Sequence, residues 1–372
     1  MNDLKVGVIG IGNMGSLHVL HLNTGRINGA KVTAVCDGSK ERLEWVKNHT
    51  TGTIKLFQDE EAFFNEADID AVIIATPHYT HPETAVNAFS KNMHVLVEKP
   101  AGVYTKNVLE MNQAAKESGK VFSIVYNQRT NPLYQKVRSL IQSGELGEIK
   151  RTNWIITDWY RSQSYYDSSE WRATWKGEGG GVLLNQAPHQ LDLWQWTTGI
   201  MPKRIQAFCS IGKYHNIEVE DEVTAYAEYE NGATGVFITS TGEAPGTNRF
   251  EIAGDRGKIV VENEELTFYR LTQSEREFNA SYKGDFGQPE CWKINIPITG
   301  ENLGHIGIIQ NWTDAILHST PLIAPGEEGI KALEIANAIY LSSWLNKKVE
   351  LPIDAALYYE KLQGKINHSI LR

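Results

Sequence analysis

The sequence predicts an α/β protein. A doubly wound parallel sheet comes first, and a second α/β domain built on a mainly antiparallel sheet follows. Two observations predict the first part. Apolar strand-like runs alternate with helical segments as far as Val125, and the first of them leads directly into Gly10-Ile-Gly12-Asn13-Met14-Gly15. The second part rests on a change after Val125, where the alternation breaks and strand-like runs follow one another across turns such as Asn231-Gly232. A length of 372 residues favours two domains, each large enough for its own core.

Bulk composition excludes several classes. The chain is 41% hydrophobic and 22% charged, as a globular protein is, and its net charge of −9 argues against a nucleic-acid partner. Its three cysteines, Cys36, Cys209 and Cys291, are widely spaced and form no metal-binding pair, so reduced thiols in a cytosol are expected. The first residues pass straight into a strand, so no signal peptide is expected. No apolar run is long enough to span a bilayer, so no membrane partner is expected either.

Residues 4–9 alternate and are rich in Val and Ile, which predicts a strand. The glycine pattern behind it allows a tight turn and a close approach to pyrophosphate. The helix beginning near Ser16 would offer its free N–H groups. A second strand, 31–36, ends on Asp37, whose carboxylate is placed to accept from ribose hydroxyls and to repel a 2′-phosphate. Nucleotide contacts are therefore assigned to Gly10, Gly12, Asn13, Met14, Gly15 and Asp37, with NAD as the cofactor. NADP stays possible because Lys40 and Arg42 lie just beyond.

Short strand and helix segments follow at 54–57 and 59–65. Residues 70–76 form an apolar strand of the kind buried on both faces of a parallel sheet. It ends in Thr76-Pro77-His78-Tyr79-Thr80-His81, a loop at the carboxyl edge where cofactors lie; Thr76, Pro77 and His81 are assigned there rather than to a metal. The next strand, 93–97, ends in Glu98-Lys99-Pro100, and both Glu98 and Lys99 join the cofactor edge. A lysine in that place is suited to hold a reacting oxygen and stabilise an alkoxide. A helix over 104–118 and a strand over 121–125 complete the unit.

The boundary falls after Tyr126. Residues 1–126 form the nucleotide domain and 127–372 the substrate-binding and oligomerisation domain. Asn127, just past the boundary, is assigned to the substrate. A helix is expected over 133–143, and strands over 149–158, 203–211, 221–230, 234–240, 248–253 and 258–262. Late helices over 306–318 and 327–346 are expected to close the second domain.

Within it, Gly177-Glu-Gly-Gly-Gly181 opens an apolar segment of helical spacing. Asn185 and His189 are four residues apart, which puts both on one face of a helix. Pro188 predicts a kink or a first turn nearby. An amide beside an imidazole suggests a proton-transfer group with a partner that orients its ring. Six of the ten tryptophans lie between Trp154 and Trp196. Trp194 and Trp196 read as core. Trp159, Tyr165, Tyr166, Trp171 and Trp175 stand among polar residues, and flat rings in that company suit a sugar or cyclitol. Arg161 and Arg172 suit hydroxyls or a carboxylate. A subunit contact is the other use for this cluster.

Taken together, these residues resemble the glucose–fructose oxidoreductase / inositol dehydrogenase / MocA family over nearly the whole chain. The resemblance rests on Gly10 to Gly15, Ala75-Thr76-Pro77 through His81, Val95-Leu-Val-Glu98-Lys99-Pro100, Gly144 to Ile149, Trp171-Arg172, Gly179 to Gly181 and His189 with Asp192. It implies a Rossmann domain followed by a domain with a large open sheet, whose exposed face makes a homo-oligomer. It also implies NAD(P)-linked redox chemistry on a sugar or cyclic polyol, with Lys99 and His189 as the catalytic residues. Tyr166, Trp171, Arg172, Asn185 and His189 would contact the substrate. Family members typically carry Asp where this chain has Asn185. The expectation is then a base, His189, whose partner has no charge. Two alternatives remain at this point: a redox-neutral NAD-dependent glycoside hydrolase or epimerase-like enzyme, and a non-catalytic sugar or nucleotide sensor.

Overall fold

The computed structural model describes residues 3–369; Met1, Asn2 and residues 370–372 lie outside it. The chain divides into two compact units, Met1–Thr130 with Asn302–Leu333, and Asn131–Glu301 with Glu334–Arg372.

The first unit holds strands β1 (Leu4–Ile9), β2 (Ala30–Cys36), β3 (Lys55–Phe57), β4 (Ala71–Ile74), β5 (His94–Val97) and β6 (Phe122–Ile124). They are ordered β3-β2-β1-β4-β5-β6, and every neighbouring pair is parallel. Val72, Ile73, Ile74, Val95, Leu96 and Val97 are all fully buried. These runs show no alternation because helices cover both faces of such a sheet. The order reverses between β1 and β4, which opens a crevice at the carboxyl ends. Gly10, Asp37, Thr76 and Glu98 follow closely on four of those ends.

The helix expected over 306–318 forms as Gly304–His318, but it packs in the first unit rather than the second. A single cut at residue 126 does not foresee this return. Periodicity shows that a helix has an apolar face, not what that face meets. The returning segment is tied by Ile124 N–H to Ala324 O at 3.1 Å. Arg129, fully buried, donates to Ile323 O at 3.2 Å and pairs with Glu328 at 2.5 Å.

The second unit holds β7 (Ile149–Ile156), β8 (Pro202–Ile211), β9 (Glu220–Tyr229), β10 (Thr234–Ser240), β11 (Asn248–Gly254), β12 (Gly257–Glu262), β13 (Glu265–Leu271), β14 (Cys291–Ile296) and β15 (Val349–Glu350). They form one nine-stranded sheet ordered β14-β13-β12-β11-β7-β10-β9-β8-β15. Its neighbours are antiparallel except β7 and β10, so the sheet is mixed. β13 to β15 and the helices Glu275–Ser281 and Ala355–Ile366 were not expected from the sequence. Along β10 and β11 every second residue is buried, as in a sheet with one packed face. Trp154 stacks on Phe250 on that face, and Trp194 from helix Pro188–Thr198 stacks on Phe237 and donates to Thr152 Oγ1 at 2.8 Å. This helix presents His189 in its first turn.

Candidate active site

In the first unit, the three fingerprint glycines serve three different needs. Gly10 has φ 87°, a backbone region costly for residues with a Cβ. A Cβ on Gly15 would collide with the Gly10 carbonyl, so glycine there lets the helix Asn13–Asn23 sit on the turn. A Cβ on Gly12 would meet nothing within 4 Å, which leaves open space at the helix N-terminus. Asn13 is exposed there, and Met14 is half-buried. Open space before free helix N–H groups fits a pyrophosphate.

Asp37 fits a ribose. Its Oδ2 accepts from Ile11 N–H at 2.7 Å and from Arg42 Nη1 at 3.2 Å, and its Oδ1 accepts from Ser39 N–H at 2.8 Å. A carboxylate has about four acceptor positions. These three bonds leave room on Oδ1 for a ribose hydroxyl. Arg42, expected as a possible phosphate contact, is instead paired with Asp37 itself.

The other cofactor-edge residues are tied to one another. His81 is buried, with Nε2 2.7 Å from Thr76 O and Nδ1 2.8 Å from Pro100 O. It joins the loop after β4 to the segment after β5. Burial holds its pKa below the ordinary histidine value, against the pull of those two carbonyls. A neutral imidazole donates to one of them at a time. Pro77 is exposed, and its carbonyl accepts from Thr80 N–H at 3.0 Å.

Glu98 is buried and braces Lys99. It accepts from His18 Nε2 at 2.7 Å and from Lys99 N–H at 3.1 Å. Burial pushes its pKa up, but the His18 hydrogen bond and the charges of His18, Lys99 and His305 outweigh this and hold it at about 2. His18 and His305 were not singled out in the sequence. The signal for His18 was its place one turn after Gly15, facing the strand that carries Glu98. His305 comes from the returning segment; its ring is 5.8 Å from that of His18, and its Nδ1 is 3.5 Å from Asn127 Nδ2. Of the described residues 95–103, Lys99 alone is not buried.

In the second unit, the glycine run is required by packing. A Cβ on Gly180 would strike the Tyr340 hydroxyl, and one on Gly181 the Glu220 carbonyl. The Glu220 carboxylate accepts from Gly181 N–H at 3.0 Å, Leu183 N–H at 3.0 Å and the Tyr340 hydroxyl at 2.7 Å. Burial nevertheless pushes its pKa up to about 7.

The chain then turns through Asn185, whose N–H donates to Gly181 O at 3.0 Å, and the helix starts at Pro188. This corrects the expected helical face shared by Asn185 and His189. Proline is favoured at a first helical position and cannot continue a helix behind it, so Asn185 lies in the preceding turn. Of the described residues 178–195, only Asn185 and His189 are not buried.

Asn185, itself uncharged, has an acidic neighbour. Its Nδ2 donates to the buried carboxylate of Glu178, which the sequence reading did not single out. Glu178 is the acid inside the glycine run, and that placement was the available signal. Arg172 lies 4.0 Å from Glu178 and donates to the Tyr165 hydroxyl at 2.7 Å. Its guanidinium sits 4.4 Å above the Tyr165 ring and 4.9 Å from the Trp171 ring. Tyr165 joins this cluster, and the ring of Tyr166 packs against it, the centroids 5.2 Å apart. Tyr166 is buried and donates its hydroxyl to Thr241 Oγ1 at 2.7 Å. Trp175 is also core, packed on Tyr340 and Trp344. Asp192 is buried and accepts from Gln195 at 3.0 Å.

Residues 4–126 match the oxidoreductase family with an NAD-binding Rossmann fold, and residues 134–260 match the GFO/IDH/MocA C-terminal domain. The chain belongs to the GFO/IDH/MocA family. Myo-inositol 2-dehydrogenase of Thermotoga maritima is 24% identical over 75% of this chain and 81% of its own. Levoglucosan dehydrogenase of Pseudarthrobacter phenanthrenivorans is 26% identical over 95% and 99%. The WlbA dehydrogenase of Chromobacterium violaceum, solved with NADH and UDP-GlcNAcA, superposes with a TM-score of 0.81 at 26% identity, covering 95% of this chain and 97% of that one. The Gfo/Idh/MocA protein described here is accordingly an NAD-dependent oxidoreductase of the sugar and inositol dehydrogenase type.

Two outcomes follow from the geometry of the first unit. Asp37→Asn keeps the side-chain size, removes the charge and releases Arg42. The kcat/KM ratio of NADP to NAD should rise roughly tenfold or more, measured with one substrate and both cofactors. An unchanged ratio would show that Asp37 does not set the preference. The second concerns acid. The folded-state pKa of Glu98 lies below its unfolded value of 4.5, so its stabilisation is present above 4.5 and is lost as pH falls towards about 2. The loss should be on the order of 3 kcal/mol. Glu98→Gln should flatten the dependence of the melting temperature on pH over that window.

Proposed function

We propose that this enzyme transfers a hydride between NAD and a hydroxyl-bearing carbon of a pyranose sugar or cyclic polyol. The observation that carries the reading is the exposure pattern. In two otherwise buried stretches, the side chains left accessible are Lys99 in one and Asn185 with His189 in the other. A lysine, an amide and an imidazole left accessible in this way suit a polar substrate and a proton transfer.

His189 takes the hydroxyl proton as the carbon is oxidised. Lys99 holds the substrate oxygen and stabilises the negative charge that grows on it. When bound, NAD supplies the hydride acceptor, and the chain supplies orientation and electrostatics. Trp171 and Tyr165 offer ring faces to the CH faces of a sugar or cyclitol. Arg172 is already partnered by Tyr165 and lies near Glu178, which favours a substrate read through hydroxyls over one read through its own carboxylate.

The first unit is assigned to the cofactor and the second to the substrate and to subunit contact. A second copy of the chain is the expected partner of the open sheet, where Phe208 and Tyr226 stand exposed on β8 and β9. The three free cysteines support a cytosolic setting, and no described helix is long and apolar enough to cross a membrane.

The test is a panel of hexoses, glycosides, disaccharides and inositols with NAD and NADP, read as absorbance of the reduced cofactor. At least one sugar or cyclitol should give net NADH. A reaction that converts substrate without net NADH would favour the redox-neutral hydrolase or epimerase instead. On the substrate so found, Lys99→Ala should lower kcat by roughly two to four orders of magnitude while the affinity for NAD, measured by calorimetry, stays close to native. Activity within a few-fold of native would make Lys99 a structural residue.

A further inference from the structure

Glu178 is buried, and two neutral donors meet its carboxylate. Ala173 N–H donates to Oε2 at 2.6 Å, and Asn185 Nδ2 donates to Oε1. One cation, Arg172, has its Nη1 4.0 Å away and most of its side chain buried. The backbone bends to make this arrangement. Ala173 has φ 55°, a left-handed conformation that residues with a Cβ rarely adopt, and its N–H is thereby aimed at Glu178.

The contact with Asn185 fixes more than a distance. An ionised carboxylate only accepts hydrogen bonds, so the amide must turn its nitrogen towards Glu178. Its oxygen is then directed the other way. Asn185 and His189 are the two residues of 178–195 that are not buried. In a low-dielectric surrounding, a negative charge behind the amide nitrogen polarises the whole group and strengthens the oxygen as an acceptor.

We propose that Glu178 is a positioning residue of this site: it fixes Asn185 as an obligate hydrogen-bond acceptor and lends its negative charge, through the amide, to the proton transfer carried out by His189. The proposal rests on the reading of His189 as the base. The charge stands one residue further back than a carboxylate at position 185 would. Asn185 accepts a proton donor of the reacting system, and Glu178 favours the protonated imidazole as it forms. Arg172, Tyr165 and Tyr166 are charged or titratable groups near Glu178; Glu178→Gln removes the carboxylate 4.0 Å from Arg172 but leaves its hydrogen bond to the Tyr165 hydroxyl, and Tyr166 keeps Thr241.

Glu178→Gln keeps the shape and removes the charge. It should lower kcat roughly ten- to a hundredfold with little change in the affinity for NAD, and move the acidic limb of the kcat profile for oxidation to lower pH. Asn185→Asp in the native background sets two carboxylates in contact. The pair keeps one shared proton and one negative charge, as the native pair does, so the acidic limb should stay near its native pH whatever is lost in kcat. In the Glu178→Gln background the same Asn185→Asp change returns the missing charge and should recover at least tenfold of the lost activity. A residue that merely supports the fold would not be rescued by moving the charge one residue along.

The proposal is overturned if Glu178→Gln leaves both kcat and the acidic limb at their native values, or if Asn185→Asp has the same effect in both backgrounds. Should Glu178→Gln fail to fold, the acidic limb of Asn185→Asp alone still decides, because a move to higher pH there contradicts the shared-proton pair. His189→Ala run alongside separates the two levels. If it stays active, the base assignment fails; if it is inactive while Glu178→Gln is normal, only the role of Glu178 fails.

Discussion

A carboxylate taken out of water must be met by donors, and three buried glutamates answer that constraint at the three segments that matter here. Glu98 draws in His18 and the backbone of Lys99. Glu220 gathers the N–H groups of Gly181 and Leu183 with the hydroxyl of Tyr340. Glu178 holds Ala173 N–H and the amide of Asn185. Each acid fixes the backbone or the side chain beside a residue that stays accessible. Replacing any of them with an apolar residue would leave its donors unsatisfied in a dry interior, which costs more than the loss of a single bond.

The same constraint sets how closely these segments pack. Close packing at Gly180 and Gly181 brings Tyr340 and Glu220 against the chain, and a side chain at either glycine would displace the donors Glu220 requires. On the nucleotide side, buried Asp37 repeats the pattern. It is held by two backbone N–H groups and Arg42, and retains an acceptor position for a hydroxyl.

What the sequence made legible follows from how local each signal is. β4 and β5 were readable because strands buried on both faces are apolar throughout, and the glycine fingerprint because each glycine answers a local steric need. β10 and β11 were readable from their alternation. β14 was not, because it is an edge strand with no fully buried residue, and β15 has only two residues. The return of Gly304–His318 to the first unit was hidden, since helical periodicity carries no record of its partner. Pro188 signals a helix start, which overrides the four-residue spacing of Asn185 and His189. Glu178 and His18 were missed because contacts between side chains distant in sequence, or across a non-helical turn, leave no periodic trace.

On this account Glu178 and Glu220 leave Asn185 and His189 as the polar side chains of their segment that a substrate can reach, and Glu98 does the same for Lys99 in its own segment. A crystal structure of the enzyme with NAD and a sugar or cyclitol that it oxidises tests this most directly. The account predicts a substrate hydroxyl within hydrogen-bond distance of the His189 ring, with the Asn185 amide oxygen turned outward and its nitrogen on Glu178. A substrate bound away from both residues, or an Asn185 amide turned with its nitrogen outward, would contradict it.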